Sequence, residues 1–233
     1  MASFLKRLLI SFLALLMSLP PLPSGAQGTG TTLKPEEIDQ LVAPVALYPD
    51  PLLSQIFMAS TYPLEVVQAN RWAKQNQNLK GDALAQALEK QDWDPSVRSL
   101  VNFPDVLSQM SDKLDWTQKL GDAFLSQQKD VMDAVQRLRA KAQAAGNLNT
   151  TEQQKVIVQE QIIEIEPASP QVVYVPTYDS TVIYGAWPYP AHPFLDTRPR
   201  FPLLHQSTIA VPFSLLLNVF SSVATAIQYG SAA

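Results

Sequence analysis

The side chains of this sequence that could break a covalent bond are its carboxylates, because the chain has no cysteine and only 2 histidines. Two carboxyl groups on either side of a glycosidic bond can hydrolyse it, one as the acid and the other as base or nucleophile. Glu65 and Asp92 are the candidates for the catalytic acid, and the 4 tryptophans of the chain favour a glycan as the substrate. Glu65 also has a structural explanation, because the dipole of a helix stabilises an acid close to its start.

The sequence has no pattern typical of a serine nucleophile, a metal site or a phosphate-binding loop. The chain has no Gly-x-Ser-x-Gly turn for a nucleophilic serine, no spacing typical of metal ligands and no glycine-rich phosphate loop. Asp50, Asp94 and Asp115 stand where helices are expected to begin, and an N-cap aspartate stabilises a helix by about 1 kcal/mol. We therefore expect no metal and no cofactor, and favour a protein that is not an enzyme.

A segment rich in proline and aromatic residues offers a binding surface instead. Trp187, Tyr189 and Phe194 stand among prolines, which favour an extended chain and keep these rings out of a helix or a central strand. Exposed rings on an extended arm suit stacking on a sugar or docking in the groove of a partner. The other interpretation is that the arm folds back over the sheet. Packing between helices is the simpler role for the aromatic residues beside helix starts, which are Tyr48, Tyr62, Trp72, Trp93 and Trp116.

The first 26 residues have the pattern of an export signal. Lys6 and Arg7 precede the apolar run from Leu8 to Leu19, and Ser24-Gly25-Ala26 provides small residues for cleavage. We expect the mature chain to begin near Gln27, with an uncleaved membrane anchor as the alternative. The net charge of −4 gives no basic surface for nucleic acid, so the expected partners are an envelope protein or cell-wall glycan.

Prolines and aspartates punctuate a helical region. Pro35, Pro51 and Pro63 each stand in an expected first turn, where proline is favoured, and apolar residues follow at helical spacing. The longest helix is expected to start at a capping box over Asp115–Gln118 and to end near Gly146. The basic residues of this helix are expected to form a solvated face: Lys129, Arg137, Arg139 and Lys141.

The apolar pattern changes after Thr151 to one typical of strands. We expect strands around Val156–Glu166, over Gln171–Val175 and over Thr181–Tyr184, joined as a small antiparallel meander that docks on the helices. The predicted fold class is α+β: a compact bundle of short helices that ends in one long helix, followed by this sheet. The expected segments are a signal peptide (1–26), a linker (27–34), the helical bundle (35–147), the sheet (148–186), the proline and aromatic arm (187–207) and an apolar tail (208–233).

The tail from Thr208 to Ala233 carries no charge and is long enough to contact or span a membrane. Pro212, Asn218 and Gln228 weaken that interpretation, because they interrupt the apolar run. A membrane-anchored envelope protein is therefore a second alternative function, beside the glycan hydrolase.

Three stretches resemble a known family: LVAPVALYPDPLLSQIFMASTYPLEVVQANRW, QDWDPSVRSLVNFPDVLSQMSDKLDWTQKLGDAFLSQQKDVMDAVQRLR and IEPASPQVVYVPTYDSTVIYG. The family is the bacterial exported family called domain of unknown function 3300, and the resemblance extends over roughly Leu41–Trp187. It implies a secreted or envelope protein of a Gram-negative bacterium, placed in the periplasm or cell envelope, with no activity, cofactor or catalytic residue to transfer. From Leu195 to Ala233 the tail departs from the proline, tyrosine and glycine-rich continuation typical of the family.

Overall fold

The computed structural model describes residues 32–169, 172–194 and 208–210, and the predicted signal peptide and most of the tail lie outside them. The helices of the described residues are α1 (Pro35–Val42), α2 (Asp50–Ser60), α3 (Pro63–Gln75), α4 (Gly81–Leu88), α5 (Pro95–Leu100), α6 (Pro104–Asp112), α7 (Leu114–Ser126), α8 (Gln128–Ala144) and α9 (Ser180–Ile183). The strands are β1 (Gln154–Gln159), β2 (Ile162–Pro167), β3 (Val172–Tyr174) and β4 (Thr208–Ala210). The predicted α+β class is confirmed: a helical region precedes a β-hairpin.

Most helices begin at the prolines and aspartates that the sequence places at their expected starts. Proline occupies the first or second position of α1, α2, α3, α5 and α6, where its missing N–H costs no helical hydrogen bond. Asp94 caps α5 as predicted, since its side chain accepts a hydrogen bond from the backbone N of Ser96 at 2.9 Å. At the end of α8, Gly146 has a φ of +77°, and Asn147 donates its backbone N–H back to the carbonyl of Ala142. That bond closes the helix with the turn that glycine favours.

The expected longest helix is in fact two helices. The helical conformation is interrupted at Gln127. The side-chain amide of Gln127 accepts a hydrogen bond from the backbone N of Leu33 at 2.7 Å and donates one to the backbone carbonyl of Leu33 at 3.1 Å. The break lets α7 pack against α2 while α8 packs against α1. The predicted capping box is wrong, because α7 begins one residue earlier, at Leu114, and Lys113 occupies the N-cap position with no side-chain hydrogen bond.

The strands form two separate antiparallel pairs. β1 and β2 make a hairpin in which Val156 lies opposite Ile165, and Glu160 adopts a φ of +54° in its tight turn. β3 pairs with β4. The predicted third strand over Thr181–Tyr184 is wrong, because this stretch lies in helix α9 and the turn that ends it. The reason is local: the Asp179 side chain accepts from the backbone N of Thr181 at 2.9 Å and so caps a helical turn.

A buried irregular segment, residues 43–48, connects α1 to α2 at the centre of the fold. Buried backbone groups outside helices and strands need partners from elsewhere in the chain. Tyr178 and Tyr184 both donate to the carbonyl of Ala43, at 2.9 and 2.6 Å. Arg139 donates to the carbonyl of Ala46 at 2.9 Å and to that of Tyr48 at 3.2 Å. The segment is therefore held by side chains that are distant in sequence.

Candidate functional site

The structure places Glu65, the first carboxylate candidate, in the opening turn of α3. Its Oε2 atom accepts a hydrogen bond from the backbone N of Asp94 at 2.6 Å, so the carboxylate ties α3 to the start of α5. Asp92, the second candidate, is exposed on the connection between α4 and α5. Glu65 thus has a structural contact, and catalysis by Glu65 or Asp92 stays a prediction.

Two tryptophans, one on α3 and one just before α5, form a corner of aromatic rings. Trp72 on α3 and Trp93 next to Asp94 meet edge to face, with ring centroids 5.9 Å apart and an interplanar angle of 79°. The Gln68 side chain, one helical turn before Trp72, accepts from the indole N–H of Trp93 at 3.3 Å. Both rings are half-buried, and we call them the Trp72–Trp93 corner.

Two carboxylates, those of Asp94 and Glu65, act on the hydroxyl of Tyr62, which directly precedes α3. Tyr62 is 38% exposed, and its hydroxyl lies close to two acids. The charge of Asp94 is the main cause that raises the pKa of Tyr62, with smaller contributions from desolvation, a hydrogen bond to Asp94 and the charge of Glu65. The surroundings of this hydroxyl therefore disfavour a further negative charge.

The proline and aromatic arm is turned back on itself and not extended as predicted. The backbone N of His192 donates to the carbonyl of Tyr189 at 3.0 Å, and the Trp187 indole N–H donates to the carbonyl of His192 at 2.8 Å. These bonds bring the ring of Phe194 within 4.0 Å of that of Trp187, centroid to centroid, while Trp187 and Tyr189 meet at 90° and 5.2 Å. All three predicted binding residues are brought together as one cluster of half-buried rings, the arm cluster.

Two helices hold the arm cluster in place. The ammonium group of Lys141 on α8 lies 5.0 Å from the ring centroid of Trp187 and 5.1 Å from that of Tyr189. It is buried and has no hydrogen-bond partner among the described residues, so cation–π attraction to the two rings is its main compensation. On α1, the side-chain amide of Gln40 donates to the carbonyl of Pro193.

The expected solvated face of the last long helix is wrong for two of its four basic residues, Arg139 and Lys141. Arg139 is only 1% exposed and forms an ion pair with Asp50 at 2.5 Å. Arg137 forms an ion pair with the fully buried Asp39 at 2.6 Å, and the ammonium group of Lys141 lies over the Trp187 ring of the arm cluster. Lys129 is solvated as predicted, in an exposed pair with Asp133, and the side chain of Arg137 is 40% exposed.

Arg139 is the residue that sequence reasoning missed, and a signal for it exists. It lies four residues after Val135 and three before Ala142, on the same buried stripe of α8. Its partner Asp50 was predicted to cap a helix, but α2 begins at Asp50 itself. The Asp50 carboxylate instead accepts from the backbone N of Ile165 at 3.1 Å and pairs with Arg139.

The buried tyrosines at the centre are hydrogen-bond donors and not bases. Desolvation by burial is the main cause that raises the pKa of Tyr48, Tyr178 and Tyr184 far above the usual range. They therefore stay protonated at neutral pH, as donation to the carbonyl of Ala43 by Tyr178 and Tyr184 requires.

Neither a cluster of metal ligands nor a membrane-spanning helix is found in the part of the chain that the structure describes. Within it, no group of three or more histidine, aspartate or glutamate residues is arranged to hold a metal ion. None of its helices has the length and apolar character needed to cross a membrane. The predicted membrane-contacting tail lies outside the described residues, apart from strand β4.

Comparison with known proteins places the chain in a family. It is 43% identical, over 216 residues, to the uncharacterized protein YacH of Escherichia coli (strain K12). The aligned part is 79% of this chain but 34% of the relative, so the chain spans about a third of that protein's length. No solved structure matches the chain. The family model described as protein of unknown function (DUF3300) matches residues 34–228 and extends past the expected span at both ends, well into the tail. Since this match covers most of the 233 residues, the chain belongs to the DUF3300 family.

Proposed function

We propose that the protein is an exported cell-envelope protein of a Gram-negative bacterium and acts as a non-catalytic binding or assembly module. The observation that carries this proposal is the arm cluster of Trp187, Tyr189 and Phe194. Tryptophan and tyrosine rings dominate the energetics of many binding surfaces. Lys141 and Gln40 hold these rings in position, which lowers the entropy lost when a partner binds.

The expected partner is an envelope protein or cell-wall glycan. Half-exposed rings offer apolar faces to either, since a sugar can stack on them and a protein groove can enclose them. Export is supported by the signal pattern of residues 1–26.

The test of the binding surface is a pull-down with envelope fractions and purified peptidoglycan. Tyr189→Ala removes one ring of the arm cluster. Trp187→Ala removes a second ring together with the hydrogen bond from its indole N–H to the carbonyl of His192. We expect both variants to lose most of the captured partner. Leu125→Ala is the matched control, because Leu125 is an apolar side chain, 72% exposed, on α7. Retention of the partner by both variants, with melting temperatures recorded for each, would refute the proposed surface.

The test of export is fractionation of cells that express the full chain, with the intact mass of the product. We expect mature protein that begins near Gln27 in the periplasmic fraction. If the full chain resists carbonate extraction and a chain that ends at Arg200 does not, the membrane-anchored alternative through residues 208–233 is supported instead.

A glycan hydrolase is the alternative function, and it has less support because Glu65 is engaged with the backbone of Asp94. Digestion of peptidoglycan by the purified protein is the assay. Digestion by the unaltered protein that is lost in Glu65→Gln or in Asp92→Asn would support the hydrolase and refute the non-catalytic proposal.

A further inference from the structure

Four pairs of aromatic rings among the described residues meet edge to face, and two of these pairs contain tryptophan. In the arm cluster, Trp187 and Tyr189 meet at 90° with centroids 5.2 Å apart. In the Trp72–Trp93 corner, the rings meet at 79° with centroids 5.9 Å apart. Rings at a right angle form two walls of a compact space, and their electron-rich faces attract a cation.

The first corner already holds a cation from the chain itself. The Lys141 ammonium group lies about equally far from both rings, at 5.0 and 5.1 Å, and finds no hydrogen-bond acceptor among the described residues. Two perpendicular rings of this protein therefore accommodate an alkylammonium group without an acceptor.

The second corner lacks such an internal cation. Among the described residues, the one ammonium group found over a ring belongs to Lys141, and it lies over the other corner. The carboxylates of Glu65 and Asp94 both accept hydrogen bonds at the start of α5, next to Trp93. Glu65 lies two helical turns before Trp72 on α3, and its carboxylate reaches the backbone of Asp94, next to Trp93. Gln68 holds the Trp93 indole in place.

We propose that the Trp72–Trp93 corner is a binding site for an aliphatic ammonium group, with Glu65 and Asp94 supplying the negative charge beside the rings. The geometry selects a compact cation over a flat sugar ring, which stacks on one open face and not between two perpendicular ones. The site is separate from the arm cluster and does not depend on the function proposed above.

The test is a titration of the full chain followed by NMR of the indole N–H signals of its tryptophans. Choline chloride represents a quaternary ammonium headgroup, Nα-acetyl-lysine methylamide represents a protein lysine, and 3,3-dimethylbutan-1-ol is the neutral isostere of choline. We expect at least one cation to shift the Trp72 and Trp93 signals to saturation, and the neutral isostere to bind about tenfold or more weakly than choline. The cation that binds more tightly identifies the source of the ammonium group.

Two variants locate the bound cation. Trp93→Ala removes one wall and is expected to abolish the shift of the Trp72 signal. Glu65→Gln keeps an acceptor for the backbone N of Asp94 and removes only the charge, so binding is expected to weaken by about threefold or more while the fold is retained. Leu125→Ala is the control and should bind as the unaltered chain does.

Three results would overturn the proposal. The first is that neither cation shifts the Trp72 or Trp93 signals. The second is that the neutral alcohol binds as tightly as choline, which would make the corner a simple apolar site. The third is that Glu65→Gln binds the cation with unchanged affinity. If Trp93→Ala does not fold, the isosteric Glu65→Gln decides by itself.

Discussion

The ion pair between Arg139 and Asp50 is expected to contribute more to stability than any other charged contact described. Arg139 is 1% exposed, and its guanidinium donates to the carbonyls of Ala46, Tyr48 and Ile163 at 2.9, 3.2 and 2.8 Å. It thereby joins α8 to the buried segment 43–48 and to the outer edge of β2. Arg139→Met keeps an unbranched side chain of similar reach but removes the donor of the Ala46 and Tyr48 carbonyls and the charged partner of Asp50.

The expected loss can be estimated from this geometry. Removal of one partner from a buried ion pair costs about 3–5 kcal/mol, because the other charge stays buried and unpaired. For a chain of this size each kcal/mol lowers Tm by about 2–4 °C, so Arg139→Met is expected to lower Tm by about 6–20 °C. Asp50→Asn keeps a carbonyl oxygen for the backbone N of Ile165 and leaves Arg139 with its three carbonyl partners, so its loss should be smaller.

The assay is urea unfolding of the full chain followed by circular dichroism, with Tm as the second measurement. Lys129→Ala is the matched control on the same helix, because Lys129 pairs with Asp133 at 2.9 Å with side chains 60% and 45% exposed. An exposed pair at this spacing is worth about 0.3–0.5 kcal/mol. If Arg139→Met destabilises the protein no more than Lys129→Ala does, the buried ion pair does not hold the helices and the hairpin together.

Three more predictions concern the same core. Tyr178→Phe and Tyr184→Phe each leave the carbonyl of Ala43 with one donor, whereas the double variant leaves it with none. The free energy of unfolding of the double variant, measured by chemical unfolding, should therefore fall by about 1–3 kcal/mol more than the sum of the two single losses. Additive losses would contradict the shared acceptor. Folding raises the pKa of Tyr178 and Tyr184, so the folded state binds their protons more tightly than the unfolded state does. The free energy of unfolding is therefore at its full value at neutral pH and falls as the pH rises above about 10. Tyrosinate absorbance should appear together with unfolding. A titration of these tyrosines at the usual pH in the folded protein would count against their burial. Gly121→Ala is expected to lower stability by about 1–3 kcal/mol although alanine favours helices, because its Cβ would lie 2.3 Å from the backbone oxygen of Ser60 on α2; an unchanged Tm would show that α7 and α2 can separate without cost.

The break at Gln127 and the helix α9 show where local patterns were insufficient. The apolar spacing on both sides of Gln127 is continuous enough to predict one helix, and the helix ends there because the amide is used by Leu33, 94 positions earlier. The stretch Thr181–Tyr184 is rich in residues with strand propensity, which depends on context, and the cap provided by Asp179 outweighs it.

The candidate site was predicted in part. Proline and aromatic content correctly drew attention to Trp187, Tyr189 and Phe194, but the sequence could not show that their rings would collect around Lys141. An alternation of prolines and rings allows both an extended arm and a compact turn, and the difference is decided by contacts with α1 and α8. Glu65 was predicted with two alternative roles, and its bond to Asp94 supplies the structural one.

The amino-acid sequence by itself determined the features whose causes lie within a few residues. Helices begin where proline or a capping aspartate satisfies or removes the unpaired N–H groups of a first turn, and α8 ends where Gly146 can adopt a positive φ. Only the tertiary structure decided which polar side chains are buried, because their partners come from distant parts of the chain. Arg139 is the clearest case: it resembles the solvated Lys129 in sequence, yet its guanidinium donates to a carbonyl 93 positions away, in the buried segment between α1 and α2.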